Sequence, residues 1–206
     1  MKKHSAFLGI LFLTACVEIF VPDPVELRIP RYSEKGYQVA GAYVNELAWK
    51  TEVFCSIFGG CSIPLRISTN TNSEQLLLNF DGQIQEGLQR GKRLILLFRL
   101  NDLNITRLSE LTSLQGQLFS IEAGELQAEA GDYDTSIGCQ RGQLLVRRVF
   151  IDKSEADGSL GYIIAGTFGL ECEQDGERLN IYQGRYDFAV NSLFTVYDSL
   201  EVIGPQ

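Results

Sequence analysis

Histidine is almost missing from this 206-residue chain, where His4 is the only one. One histidine cannot build a zinc site on imidazoles, and once His4 is lost with an N-terminal signal no Ser-His or Cys-His nucleophile is left. Methionine and tryptophan occur once each, and proline only five times. The sequence contains no G-x-S-x-G, no Walker-type glycine-rich loop and no EF-hand loop, so neither a cofactor nor a metal is expected. Chemistry run by carboxylates alone passes this filter. Beyond residue 15 no apolar run approaches the roughly 20 residues of a membrane-spanning helix.

What the N-terminus does contain is MKKHSAFLGILFLTAC. Lys2 and Lys3 form a positive start, Ala6 to Leu13 an apolar stretch, and Thr14 and Ala15 a small-residue site, the layout of a secretory signal over residues 1–15. Leu13-Thr14-Ala15-Cys16 resembles the lipobox of bacterial lipoproteins. The resemblance implies that the Cys16 thiol receives a diacylglyceryl group and that cleavage falls just before it. A mature lipoprotein carries two or three acyl chains, and each buried methylene contributes about 0.8 kcal/mol, so the anchor would hold permanently. Val17 is not the aspartate that retains enterobacterial lipoproteins in the inner membrane. No dense acidic run follows Cys16 either, so the outer membrane and its periplasmic face are expected.

Cleavage would remove Lys2, Lys3 and His4 and no acid, leaving 16 basic and 26 acidic side chains and moving the formal charge from −8 to −10. Nucleic acid and anionic lipid surfaces would repel such a domain. Four cysteines stay behind the anchor: Cys55, Cys61, Cys139 and Cys172. In an oxidising compartment an even count argues for two disulfides. Of three possible pairings the expected one is Cys55–Cys61 with Cys139–Cys172. The first closes the short loop CSIFGGC, where Gly59 and Gly60 let the backbone double back. A four-thiolate metal site would need paired C-x-x-C spacing, which is absent.

Residues 16–36 hold three of the five prolines (Pro22, Pro24, Pro30) and read as an anchor and extended tether, although Val25, Leu27 and Ile29 alternate as an edge strand would. The domain is expected over 37–206. Gln38–Val44 and Leu47–Val53 suit a hairpin turning at Asn45-Glu46, with Trp49 as a core anchor. A short run over Ile63–Ser68 follows. Leu76, Leu78 and Phe80 alternate with polar neighbours, as do Leu94, Leu96, Phe98 and Leu100, with glycines 82, 87 and 91 as the turn between them. Residues 103–116 read as a strand to about Arg107 and then a loop or one helical turn. Leu118–Ile121 and Leu126–Ala130 are further strands.

Gln143–Ile151, Gly161–Cys172 and Leu179–Val190 predict a three-stranded meander turning at residues 152–159 and at Asp175-Gly176. A first turn centred between Glu155 and Ala156 sets Cys139 opposite Cys172, within disulfide reach of neighbouring antiparallel strands. That register leaves Arg147 on the face of Leu145 and Val149 and requires a hairpin without bulges. Phe194 to Tyr197 suggests a last strand. Many short strands at about ten-residue spacing indicate a mostly β protein, a single antiparallel sandwich or flattened barrel.

GAYVNELAWK (41–50), AGTFGLEC (165–172) and LNIYQGRYDF (179–188) together resemble a family of small lipoproteins of the Bacteroidota that carry a domain of unknown function. Gly41, Val44, Asn45 and Trp49 match its first motif, with Glu46 where a glycine is usual. Gly166, Thr167 and Phe168 match the second. Ile181, Gly184, Tyr186 and Asp187 match the third, with tyrosine for phenylalanine. The resemblance implies an exported, lipid-anchored, β-rich domain and no catalytic residue.

Three clusters remain as candidates for chemistry. Asp152, Glu155 and Asp157 depart from the standard calcium loop and read better as a solvated turn. Asp132 and Asp134 flank Tyr133 and read as a turn unless their separation suits glycan hydrolysis. Arg185 and Asp187 share a strand face and suit a structural pair. The functional expectation is a non-enzymatic envelope module, held to the membrane through Cys16, that binds an envelope protein or another envelope component. The rivals are a glycan-binding accessory module, which would expose aromatic side chains, and a carboxylate-only glycoside hydrolase.

Overall fold

The computed structural model describes residues 24–25, 27–52, 55–56, 60–61, 64–70, 74–132, 134–152, 161–174, 176–190 and 195–198. The signal, Cys16, Tyr133, Glu155 and Asp157 lie outside them. Among the described residues the strands are, in chain order, β1 (Val39–Val44), β2 (Leu47–Thr51), β3 (Cys55–Ser56), β4 (Gly60–Cys61), β5 (Leu65–Asn70), β6 (Gln75–Ile84), β7 (Arg93–Leu100), β8 (Gln117–Ser120), β9 (Leu126–Gly131), β10 (Ser136–Asp152), β11 (Gly161–Gln174), β12 (Glu177–Val190) and β13 (Thr195–Asp198). Short 3-10 segments occupy Gly87–Gln89 and Leu108–Leu114.

The strands β6-β2-β1-β12-β11-β10-β9-β7 hydrogen-bond in that order, and β7 pairs back onto β6, so the sheet closes into a flattened barrel. β5 extends the first half of β6, β13 runs parallel to β5, and β8 lies beside β10. The mostly β fold and the C-terminal meander therefore stand as expected. Alternation is the local cause. Along β6 and β7 every second residue is buried, and Leu76, Leu78, Phe80, Leu96, Phe98 and Leu100 all point inward.

Aromatic rings fill the centre. Phe80 lies 5.4–6.0 Å, centroid to centroid, from Phe98, Phe168, Tyr186 and Phe188, and Phe168 meets Trp49 edge-on at 6.4 Å. Trp49 is fully buried, as expected of a core anchor, and its indole N–H donates to the Leu94 carbonyl at 2.9 Å. Glycines on neighbouring strands make room for these rings. A Cβ on Gly82 would come within 2.6 Å of the Trp49 ring, one on Gly184 within 2.4 Å of Phe168, and one on Gly166 within 2.6 Å of the Tyr186 hydroxyl. Gly82 is thus a packing residue inside β6 and not part of the β6–β7 turn, which holds Gly87 and Gly91.

Cys139 and Cys172 face each other and are disulfide-bonded. Their register differs from the uninterrupted hairpin. Near the tip Asp152 faces Gly161, and two one-residue shifts in β10, between Val146 and Arg148 and between Cys139 and Arg141, bring the cysteines opposite. The first shift falls at Arg147. It turns that arginine outward and leaves Leu144, Val146 and Val149 buried, which resolves the clash of faces in the unbulged register. Cys55 also faces Cys61, in the β3–β4 ladder; the side chains of that pair lie outside the described residues.

Residues 103–106 form no strand. Leu108, Leu111 and Leu114, three apart, are all buried on one side of the 3-10 segment, which has three residues per turn. This segment follows β7 and closes that end of the barrel.

The β1–β2 turn carries a local strain. Asn45 has φ 47° and Glu46 φ 71°, the left-handed pair of a tight hairpin, for which Asn-Gly is the favoured dipeptide. The Asn45 side chain earns its place by accepting from the Asn180 N–H and donating to the Arg178 carbonyl, both at 2.9 Å, whereas Glu46 has no such role for its backbone shape. Glu46→Gly is expected to stabilise the fold by about 1 kcal/mol and to raise Tm by roughly 2–4 °C, measured by thermal unfolding followed by circular dichroism.

Candidate functional site

The barrel has two unlike ends. Among the described residues one of them is ringed by Asn45-Glu46, residues 85–92, Asp132 with residues 134–135, and the turn that includes Gly176. Between these turns opens a cleft of about 420 Å³. Its floor is apolar, built from strand ends that carry Val44, Ile84, Leu94, Ala130, Ile137 and Leu179. Gln89, Lys92, Asp132, Ser136 and Glu177 stand on the rim. The Cys139–Cys172 disulfide clasps β10 to β11 just below the rim, two residues from Ile137.

Asp132, one of the two sequence-singled carboxylates of the 131–134 segment, has a turn-building role at this rim. Its Oδ1 accepts from the Asp134 N–H at 3.0 Å, the Thr135 N–H at 2.9 Å and the Thr135 hydroxyl at 3.1 Å. The Thr135 and Asp134 backbone donors hold its carboxyl below the ordinary aspartate range. The same direction holds for Glu110, held by the Thr106 and Arg107 N–H groups, for Glu122, held first by backbone donors and then by the Ser120 hydroxyl, and for Glu129, beside Arg99. A glycosidase acid needs its carboxyl displaced upward. Among the described residues no cluster of three or more metal-ligating side chains occurs.

Asp187, from the third motif, is 2% exposed and faces the N-terminal segment. It accepts from the Ser33 hydroxyl, and from the N–H groups of Gly36 at 2.7 Å, Lys35 at 3.0 Å and Tyr37 at 3.3 Å. Arg185, on the same strand, donates to the Gln183 carbonyl at 3.4 Å. The segment held this way runs back along β1. Pro30 covers Gly41, where a Cβ would sit 2.2 Å from the proline ring, and Ile29 packs with Tyr43 and Ala48 in a small outer cluster. Packing therefore begins before Tyr37, and β1 is buried on both faces. Val25 and Leu27 are exposed. At its start Arg28 donates to the Glu46 carbonyl at 3.3 Å and to Glu86 at 2.9 Å, both on turns of the open end.

A second depression lies on the outer face of the meander, over Gly142 and Gly169. Tyr182, 39% exposed, stands at its edge and stacks on Tyr43 at 5.4 Å. Glu122, Arg141, Asn180 and Arg178 surround it. None of these residues was legible as a site, because they come from three strands and one turn. Glycines inside long strands, at 142 and 169, were the one available signal. The chain matches no family model, no curated protein and no solved structure.

Two outcomes follow. Asp187→Ala is expected to cost about 2 kcal/mol in urea unfolding and to open residues 33–37 to limited proteolysis under native conditions. Because the Asp132 pKa is lowered, its stabilising contribution is complete above the ordinary value of about 3.9 and is lost as pH falls through the depressed one. An NMR titration of that carboxyl should therefore give a midpoint below about 3.9.

Proposed function

We propose that this chain is a lipid-anchored, non-enzymatic module of the cell envelope that acts by binding. The observation that carries the reading is the rimmed cleft at one end of a closed, filled barrel. Apolar floors with a few polar groups at a barrel mouth are common sites for small ligands, and about 420 Å³ falls within their usual range. The anchor is Cys16, the membrane the outer one, and the face periplasmic; the acidic balance argues against nucleic acid as a partner.

Glycan binding is the second reading, favoured by exposed Tyr182 beside the polar depression. Aromatic faces accept the C–H face of a sugar ring, and the surrounding Glu, Arg and Asn side chains match its hydroxyls. Trp49, Tyr43, Tyr162 and Tyr186 are buried and offer no such platform.

The anchor is tested by palmitate labelling and fractionation. The native chain should label and sediment with membranes, and Cys16→Ala should do neither. The two binding readings separate in gels that contain soluble neutral polysaccharide. Unretarded migration excludes the glycan reading, and retardation lost on Tyr182→Ala but kept in Tyr182→Phe establishes it.

A further inference from the structure

We infer that the open mouth of the barrel faces the membrane and takes up the acyl chain of a single-chain amphiphile, such as a fatty acid, from the bilayer. The inference rests on the lipid anchor at Cys16 and goes beyond it in naming orientation and ligand.

Orientation follows from where the chain joins the barrel. Arg28 is bound to Glu46 and Glu86, on two turns of the open end. From there the segment runs along β1 toward the opposite end, where Asp187 holds Lys35 to Tyr37. The anchor is therefore tied to the rim of the mouth and not to the end closed by Leu108, Leu111 and Leu114. Only the residues between Cys16 and Arg28 separate lipid from rim, a reach of at most about 40 Å when fully extended. The far end lies beyond the rim by the length of β1 and β12, so the shortest connection turns the mouth toward the bilayer.

Ligand chemistry follows from the mouth. Ile84, Leu94, Ala130, Ile137 and Leu179 offer a hydrocarbon floor with no charged side chain among them. Lys92, Gln89 and Ser136 on the rim supply donors at the level where a polar head would stop, beside the carboxylates of Asp132 and Glu177, which favour an uncharged or protonated head. An acyl chain inserts apolar carbon into such a floor while its head stays in water at the rim. A free sugar or nucleotide would leave the floor uncovered. The disulfide beside Ile137 and the hydrogen-bonded Asp132 turn keep the rim open before a ligand arrives.

The test uses the full, lipidated chain in phosphatidylcholine vesicles that contain a diazirine-bearing palmitic acid, with photo-adducts mapped by peptide mass spectrometry. Adducts should concentrate on Ile84, Leu94, Ile137 and Leu179, should be competed by unlabelled palmitic acid, and should fall about tenfold in Ile137→Glu, which sets a charge on the floor. Tyr182→Ala, on the outer face, should leave them unchanged. A fluorophore on Gln89→Cys, at the rim, should be quenched by a bilayer-bound quencher more strongly than one on Ser109→Cys, at the closed end. Adducts confined to residues 16–28, adducts indifferent to Ile137→Glu, or stronger quenching at Ser109→Cys would each overturn the inference. The mass of the Cys16 peptide from the same samples reports lipidation separately, so failure of the anchor and failure of the mouth are told apart.

Discussion

The barrel depends on the fit between a cluster of large rings and the glycines that make space for them. Phe80 on β6 and Phe168 on β11 stack at 6.0 Å across the interior, and Trp49, Phe98 and Tyr186 complete the cluster. A ring of eight strands leaves an interior wide enough for side chains or one small ligand. Here the rings occupy the centre, and Gly82, Gly166 and Gly184 let them approach the opposing backbone. Burial pushes the Tyr186 phenol well above its ordinary value, and its hydroxyl donates to the Leu145 carbonyl. Open space is thereby displaced from the centre to one mouth.

The residues of the three sequence motifs are largely accounted for by this packing. Gly41 admits Pro30, Asn45 ties the first hairpin to β12, Trp49 and Phe168 meet edge-on, and Asp187 holds the N-terminal segment. They build the frame and its strap, while the mouth is lined mostly by residues outside the motifs. A frame of this kind can stay constant while the floor and rim change. That division also explains why the motifs pointed to a fold and to no chemistry.

Legibility in the sequence followed the range of the interactions. β6 and β7 were plain because alternation is a local property, and the Asn45-Glu46 hairpin because turn chemistry is local too. Cys139 and Cys172 were paired correctly although the assumed hairpin was not the real one; two bulges offset a misplaced turn centre. Bulges leave no sequence mark except the misplaced Arg147. Leu108, Leu111 and Leu114 kept a spacing of three, the 3-10 period, which resembles an α-helical pattern over so short a run. Gly82 looked like a turn because its true neighbour, Trp49, is 33 positions away. The cleft was invisible for the same reason: its floor comes from residues between Val44 and Leu179 that meet only when the sheet closes.

All of this requires that the sheet be closed, and closure lies in the β6–β7 ladder from Leu76–Leu100 to Gln83–Arg93. Native-state hydrogen exchange of the full chain tests it directly. A closed barrel predicts that amides of this ladder exchange only through global unfolding, as slowly as those between β11 and β12. Exchange of the β6–β7 amides by local opening, well ahead of the meander, would contradict the closed barrel and the mouth that depends on it.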